Sequence, residues 1–130
     1  MSFFASLYYV CIALAHFCAL PILFLLTFKS KYKISLKKRF FFPSFVKKKA
    51  NLYWFHVCSF GEAKALYPVI ESLQNLLKNG EEILITTTTQ SGFKLARISY
   101  PRCLVYYLPF ETFIPFWMHN LSLKCFVVFE

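Results

Sequence analysis

Leu52-Tyr53-Trp54-Phe55-His56-Val57-Cys58-Ser59-Phe60-Gly61-Glu62 is the stretch that decides the fold. Its first part, 52–58, is a nearly continuous apolar run, which predicts a strand buried on both faces. Ser59–Gly61 reads as a tight turn. Beyond it, Ala65, Leu66, Val69, Ile70, Leu73, Leu76 and Leu77 recur at helical spacing, predicting a helix over 62–79 that Gly80 ends. Pro68 lies inside that pattern and predicts a kink or a late helix start. The run 82–88 is a second strand, 89–92 a polar loop and 93–100 a short helix. A third strand follows at 103–109, then a helical connection over 110–121 and a fourth apolar run at 124–130. Strands alternating with helices predict an α/β fold with a parallel sheet and crossover connections. Such sheets bind ligands beyond the carboxyl ends of their strands. Here those ends carry Ser59–Glu62, Thr86–Gly92, Pro109–Glu111 and Glu130.

Upstream the pattern is different. Residues 2–28 contain no formally charged side chain if His16 is neutral, and the run is apolar all round. A bilayer-crossing helix needs about 20 such residues. Pro21 is tolerable in a membrane helix. A cleaved leader would place basic residues before the apolar core; here none precedes it and a dense cluster follows, so the sequence predicts an uncleaved anchor with the downstream part cytoplasmic. A small soluble binding protein with a cleaved leader is the competing arrangement. Three segments result: a transmembrane or membrane-anchor helix over 1–28, a basic juxtamembrane segment over 29–49, and a truncated domain with a Rossmann-like parallel sheet over 50–130.

The charge supports this division. The 130 residues carry a formal charge of +9, from 15 basic and 6 acidic side chains. Nine of the basic residues fall between Lys29 and Lys49 with no acid among them, whereas 50–130 has six of each sign. An excess confined beside an uncharged segment points to anionic lipid head groups, each Lys or Arg contributing on the order of 1 kcal/mol. Phe40, Phe41, Phe42 and Phe45 are placed to act as interfacial wedges. Nucleic acid is not expected as a partner, because no reader motif accompanies the charge. The five cysteines form no C-x-x-C pair and read as buried free thiols, and no histidine has partners at ligand spacing. Neither a metal nor a cofactor is expected.

Glu62 stands at the predicted N-terminus of a helix, where the dipole favours its anionic form; this alone accounts for a glutamate there. In a cleft, the same anion is what a general base requires. Gly61 permits an unusual backbone angle or the close approach of a ligand. Thr86–Gly92 reads either as strand propensity or as a hydroxyl-rich surface for a polyhydroxylated or phosphorylated ligand. It lacks the glycine spacing of a nucleotide loop. His56, inside an apolar strand, reads first as a hydrogen-bonded core residue.

Tyr53–Glu62 resembles the opening strand of bacterial 3-deoxy-D-manno-octulosonic acid (Kdo) transferases, whose members show Trp-x-His-x-x-Ser-x-Gly-Glu. Thr86–Gly92 is similar to that family's Thr-rich segment ending in Thr-Gly, with Gln90 and Ser91 in place of Pro and Thr. Leu108-Pro109-Phe110-Glu111 resembles its Leu-Pro-Tyr-Asp, and Phe126–Glu130 the lead-in to its Glu-Thr-Glu-Leu-Trp-Pro-Asn motif. The resemblance implies the N-terminal half of a GT-B glycosyltransferase, facing the lipid A precursor (lipid IVA) at the cytoplasmic face of the bacterial inner membrane. It implies a donor, CMP-Kdo, held by a second half that is not in this chain, and inverting transfer without a metal. It assigns Glu62 as the base and Glu130 as a second active-site carboxylate. Ser59, Gly61, Thr87, Thr89, Ser91 and Gly92 become candidate substrate contacts. Because the chain stops within the last motif, it reads as the front portion of a longer enzyme, inactive unless a second chain supplies the donor half. The alternative is a non-catalytic, membrane-associated lipid-binding module.

Overall fold

The computed structural model describes residues 3–44, 46, 51–119 and 121–129. Glu130, Phe45 and the basic residues 47–49 lie outside them. The chain opens with α1 (Phe3–Leu26), a 24-residue helix, and continues through a short α2 (Lys33–Leu36) and a widened π-turn over Lys37–Phe41. Then come β1 (Asn51–Val57), α3 (Phe60–Ala65), α4 (Tyr67–Gln74), β2 (Glu81–Thr87), α5 (Gln90–Ser99) and β3 (Leu104–Tyr107). A 3-10 turn at Glu111–Phe113 leads into α6 (Ile114–Met118) and β4 (Ser122–Phe129).

The four strands form one sheet in the order β3-β2-β1-β4, and every pairing is parallel. β1 and β2 run in unbroken register from Asn51 opposite Glu81 to Val57 opposite Thr87. The β1–β4 pairing slips by one residue between Leu52 and Tyr53, which leaves Lys124 as the extra residue of a bulge. Freed there, Lys124 makes an ion pair with Glu81. The fold is thus the α/β class expected: an apolar N-terminal helix followed by a partial Rossmann-like sheet.

Both faces of the sheet are covered over its central strands, which is why β1 and β2 read as continuous apolar runs, whereas the edge strand β4 is largely exposed. On one face Phe55, Val57, Ile83, Ile85 and Val105 pack under Ala63, Leu66, Ile70 and Ala96 of the crossover helices. On the other, Leu52, Trp54 and Leu84 pack under Val46 and Trp117. Trp117 is 1% exposed, lies 5.2 Å from the Trp54 ring, and donates from Nε1 to the Ser44 carbonyl at 3.1 Å. One side chain of α6 therefore closes the second layer and ties the β3–β4 connection to the chain leading into β1.

Several boundaries differ from expectation for local reasons. The helix expected over 62–79 is two helices. Pro68 lacks the N–H a continuous helix needs, so α3 ends at Ala65, Leu66 serves both as its C-cap and as the N-cap of the next helix, and α4 begins at Tyr67. α4 ends at Gln74, and Gly80 instead takes the positive φ (83°) of the turn into β2. The polar loop expected over 89–92 is largely helical, because Thr89 caps α5 by accepting from the Gly92 N–H at 3.2 Å. The cysteines are free, but none is buried: Cys58 and Cys103 are partly exposed, and Cys11, Cys18 and Cys125 are exposed. Cys11 and Cys18 face outward because α1 meets the rest of the chain along one side only, and Cys125 lies on an edge strand.

That side of α1 is specific. His16, only 7% exposed, sits among the rings of Phe40, Phe110 and Phe113, with Nδ1 3.2 Å from Thr112 Oγ1. Tyr8 donates its hydroxyl to Glu111. α1 is therefore fastened to the turn that follows β3. Of the described helices, α1 is long and apolar enough to cross a membrane, and it points to membrane association. Replacing Trp117 with alanine is expected to destabilise the folded state by about 3–5 kcal/mol, measured by denaturant titration of the detergent-solubilised protein.

Candidate active site at the β1–α3 turn

β1 is the strand from which the sheet reverses direction: β2 and β3 lie to one side of it and β4 to the other. The loop leaving β1 therefore sits at the switch point, where parallel sheets open a crevice. Ser59, extended at φ −122° and ψ 168°, caps α3 there, its Oγ accepting from the Glu62 N–H at 3.2 Å. The same hydroxyl donates to Glu62 Oε1 at 2.5 Å, and Glu62 Oε2 accepts from the Cys58 N–H at 2.7 Å. Ser-x-x-Glu is a capping-box spacing, here with the carboxylate reaching one residue beyond the cap. Two donors aimed at one carboxylate favour its charged form. The Ser59 hydroxyl foremost, and then the Cys58 amide, hold the partly exposed Glu62 below the usual carboxylate range.

The loop after β2 closes on the same point. Thr88 and Thr89 both donate their hydroxyls to the Cys58 carbonyl, at 3.3 and 2.8 Å. Thr87 turns inward, fully buried, with Oγ1 donating to the Thr89 carbonyl at 3.4 Å and accepting from the Thr89 N–H at 3.3 Å. A Cβ added to Gly92 would lie 2.8 Å from Thr87 Oγ1, 3.0 Å from Thr89 Oγ1 and 3.3 Å from the Ser59 carbonyl. Gly92 is thus the contact that lets the first turn of α5 settle against the β1–α3 loop.

The structure sorts the residues singled out from sequence into two groups. Ser59, Glu62, Thr87, Thr89 and Gly92 form one hydrogen-bonded and sterically tight unit. Of these, Thr87 and Gly92 are beneath the surface and shape the turn, whereas Thr89, like Gly61 and Ser91, is exposed. Gly61 has an ordinary backbone, since positive φ occurs only at Gly80 among the described glycines. A Cβ there would meet nothing nearer than Ser59 Oγ at 3.9 Å, so what Gly61 leaves is open space for close approach. Glu130 lies outside the described residues. His56 is a core residue as expected, 8% exposed with Nδ1 2.9 Å from Thr86 Oγ1; that oxygen also accepts from Trp54 Nε1 at 2.8 Å.

Arg39, the single arginine beside eight lysines in 29–49, was not singled out by the sequence reading. Its Nε donates to the Leu108 carbonyl at 3.0 Å, its own carbonyl accepts from the Phe110 N–H at 2.9 Å, and burial pushes its guanidinium pKa down. It pins the juxtamembrane turn to the loop after β3. No group of three or more His, Cys, Asp or Glu that could hold a metal occurs among the described residues.

The two glycines separate packing from access. Gly92→Ala is expected to cost about 1–3 kcal/mol through overpacking, read by thermal or denaturant unfolding. Gly61→Ala is expected to leave stability unchanged or raised by up to about 1 kcal/mol.

The family model described as 3-deoxy-D-manno-octulosonic-acid transferase (kdotransferase) matches residues 34–130, from α2 to the end of the chain. A probable mitochondrial 3-deoxy-D-manno-octulosonic acid transferase of Arabidopsis thaliana is 36% identical over 90 residues. That alignment covers 64% of this chain and 20% of the plant protein, so the chain corresponds to about a fifth of that relative. No solved structure matches. With a matching family model over β1, both Cys58-bound loops and the sheet they crown, the chain belongs to the Kdo transferase family.

Proposed function

We propose that this chain is the acceptor-side part of a membrane-bound transferase that moves Kdo from CMP-Kdo to a lipid A precursor such as lipid IVA, in the GT-B manner, on the cytoplasmic face of a bacterial-type inner membrane. Residues 1–28 serve as anchor, 29–49 as the basic flank that meets anionic lipid, and 50–130 as the acceptor-side layer. Glu62 is the general base. The acceptor hydroxyl attacks the anomeric carbon of Kdo, the bond to the CMP phosphate breaks with its electrons leaving on CMP, and the hydroxyl proton passes to the Glu62 carboxylate.

The observation that carries this reading is the fixing of the Glu62 carboxylate, as an anion, by Ser59 Oγ and the Cys58 amide at the switch point of the sheet. Each carboxylate oxygen accepts one of these bonds and keeps a further lone pair for an incoming hydroxyl. Preorganisation places the base without a rotamer search at the moment of reaction. Gly61 beside it leaves room for a sugar to come close. Glu130 stays a second candidate carboxylate, and Ser91 and Thr89 candidate contacts for the acceptor. The apolar α1, bonded through Tyr8 and His16 to the 111–112 turn, supports a site held at the bilayer surface.

A second reading follows from the same bonds: Glu62 is fully used as a helix cap, and the chain is a non-catalytic lipid-binding module. One substitution separates the two. Glu62→Gln keeps an oxygen to accept from the Cys58 amide but removes the proton acceptor. In the full-length enzyme supplied with CMP-Kdo and acceptor lipid, kcat is expected to fall by roughly 10²–10⁴-fold. A rate within a few-fold of wild type would sink the base role and leave the cap. The acid limb of the kcat/KM profile is expected below the usual carboxylate range, because Glu62 titrates below it. The depressed folded pKa gives the sign for stability as well: the Glu62 contribution is present above the unfolded carboxylate pKa and is lost as pH falls through the folded value.

A further inference from the structure

The basic flank and α1 are bonded to the same few residues. The Arg39 carbonyl accepts from the Phe110 N–H at 2.9 Å, and Arg39 Nε donates to the Leu108 carbonyl. Tyr8 of α1 donates to the next residue along, Glu111. About two turns further along α1, His16 stands against Phe40, Phe110 and Phe113, with Nδ1 at Thr112 Oγ1. Tyr8 and His16 are thus about 12 Å apart along the helix axis, yet both meet the 110–113 turn. α1 runs along this rim of the sheet. A spanning helix could not keep these bonds. Tyr8 would stand about 27 Å from Leu26, close to the ~30 Å thickness of the hydrocarbon core. It would take Glu111, Phe110 and Arg39 with it to the far side of the bilayer. Glu111 is an exposed carboxylate, and Arg39 follows Lys37 and Lys38, which are exposed too. Charged side chains at that depth are expensive.

The other side of α1 is apolar and uncovered. Leu7, Leu14 and Leu25 stand about half a turn round the helix from His16, and with Val10, Phe17 and Ile22 they are exposed. The polar side chains turn the opposite way: His16 and Thr27 are buried, and Tyr8 is bonded to Glu111. A helix lying in a membrane surface ordinarily shows water a charged face. Here Phe40 and the 110–113 turn cover that face, so α1 needs no charge of its own to lie flat. We infer that α1 lies in the plane of a single leaflet, with its Leu7, Leu14 and Leu25 side among the acyl chains and its His16 side against the sheet rim. Both ends of the helix then stay on the same side of the bilayer as the sheet. Lipid is the occupant of the exposed face because of what adjoins it. Lys29, Lys31 and Lys33 follow the apolar helix directly, so contacts for anionic head groups flank contacts for acyl chains. The inference rests on the reading of residues 1–28 as a membrane anchor and is independent of the role of Glu62.

Two measurements on the full-length protein test this. The first is protease access to an epitope tag at the N-terminus, in a bacterial host. The tag is expected to be removed in inverted inner-membrane vesicles and protected in spheroplasts. The reverse pattern would overturn the in-plane arrangement. The second is depth-dependent fluorescence quenching of Leu14→Trp and of Leu25→Trp, in phosphatidylcholine–phosphatidylglycerol vesicles brominated at defined acyl positions. The unsubstituted protein supplies the background from the buried Trp54 and Trp117. Both introduced rings are expected at one depth, about 5–10 Å into the head-group and acyl boundary. A spanning helix would set Leu14→Trp near the bilayer centre, with about 16 Å of helix between the two positions. Unequal depths of that size would overturn the inference. So would the absence of quenching at both positions in vesicle-bound protein, because a second copy of the chain would then cover the face instead of lipid. Failure to bind vesicles at all would remove the anchor reading and this inference together, whereas binding with unequal depths removes the in-plane arrangement alone.

Discussion

The backbone of Cys58, its N–H and its carbonyl, is the constraint on which the functional end of the sheet depends. Its N–H is held by Glu62 and its carbonyl by Thr88 and Thr89. A backbone group just beyond a strand has lost its ladder partners, and burying it unpaired would be costly. Satisfying it with side chains from two successive loops binds those loops to each other. The β1–α3 turn and the β2–α5 turn therefore cannot move independently, and the carboxylate of Glu62 inherits the rigidity of both. Gly92 completes the arrangement by leaving no side chain where the α5 turn meets the Ser59 carbonyl.

This explains which parts of the site were legible in the sequence. Ser59-x-x-Glu62 after a buried strand carries its own geometry, because capping spacing and the helix dipole both act within one turn. The Thr-rich segment was visible as a cluster of hydroxyls, but not the division of labour within it. Thr86 and Thr87 end β2 fully buried, and only the pairing with β1 shows that Thr88 and Thr89, just beyond it, both reach the Cys58 carbonyl. Thr residues that read as ligand contacts are thus, in large part, the fastening of one loop to another. Arg39 was invisible for a different reason. Among nine cations it is the single arginine, but residue type alone does not show that its carbonyl and guanidinium both engage residues some seventy positions later.

The alternation of strands and helices was likewise readable, since fully covered strands must be apolar throughout. The splitting of one expected helix at Leu66 was signalled by Pro68, but the exact turn depended on Leu66 capping both pieces. Trp117 was harder to foresee. The segment 110–121 has weak helical character, and α6 spans only Ile114–Met118. Its role comes from packing: a single large ring against Trp54 covers a face that no long helix covers. Tertiary burial decides such elements, and short-range propensity carries little of that information.

The anchor enters this scheme as a part of the site's architecture. Tyr8 and His16 contact Glu111 and Thr112 in the turn after β3, and Arg39 contacts Leu108 and Phe110 in the approach to the same turn. α1 and the segment carrying Arg39 thus grip one rim of the sheet from two directions. A tether of flexible chain would only raise the local concentration of the enzyme at the membrane. On the proposed function, a helix bonded to the rim would also fix the angle at which the strand ends face the lipid. If the acceptor is a membrane lipid, as proposed, orientation matters as much as proximity, because a hydroxyl at a fixed depth would be met only by a carboxylate at that depth. Under the proposed function, the contacts of α1 with the 110–113 turn and those of Glu62 with the Cys58 amide would be two ends of one positioning device, joined through the strands that lie between them.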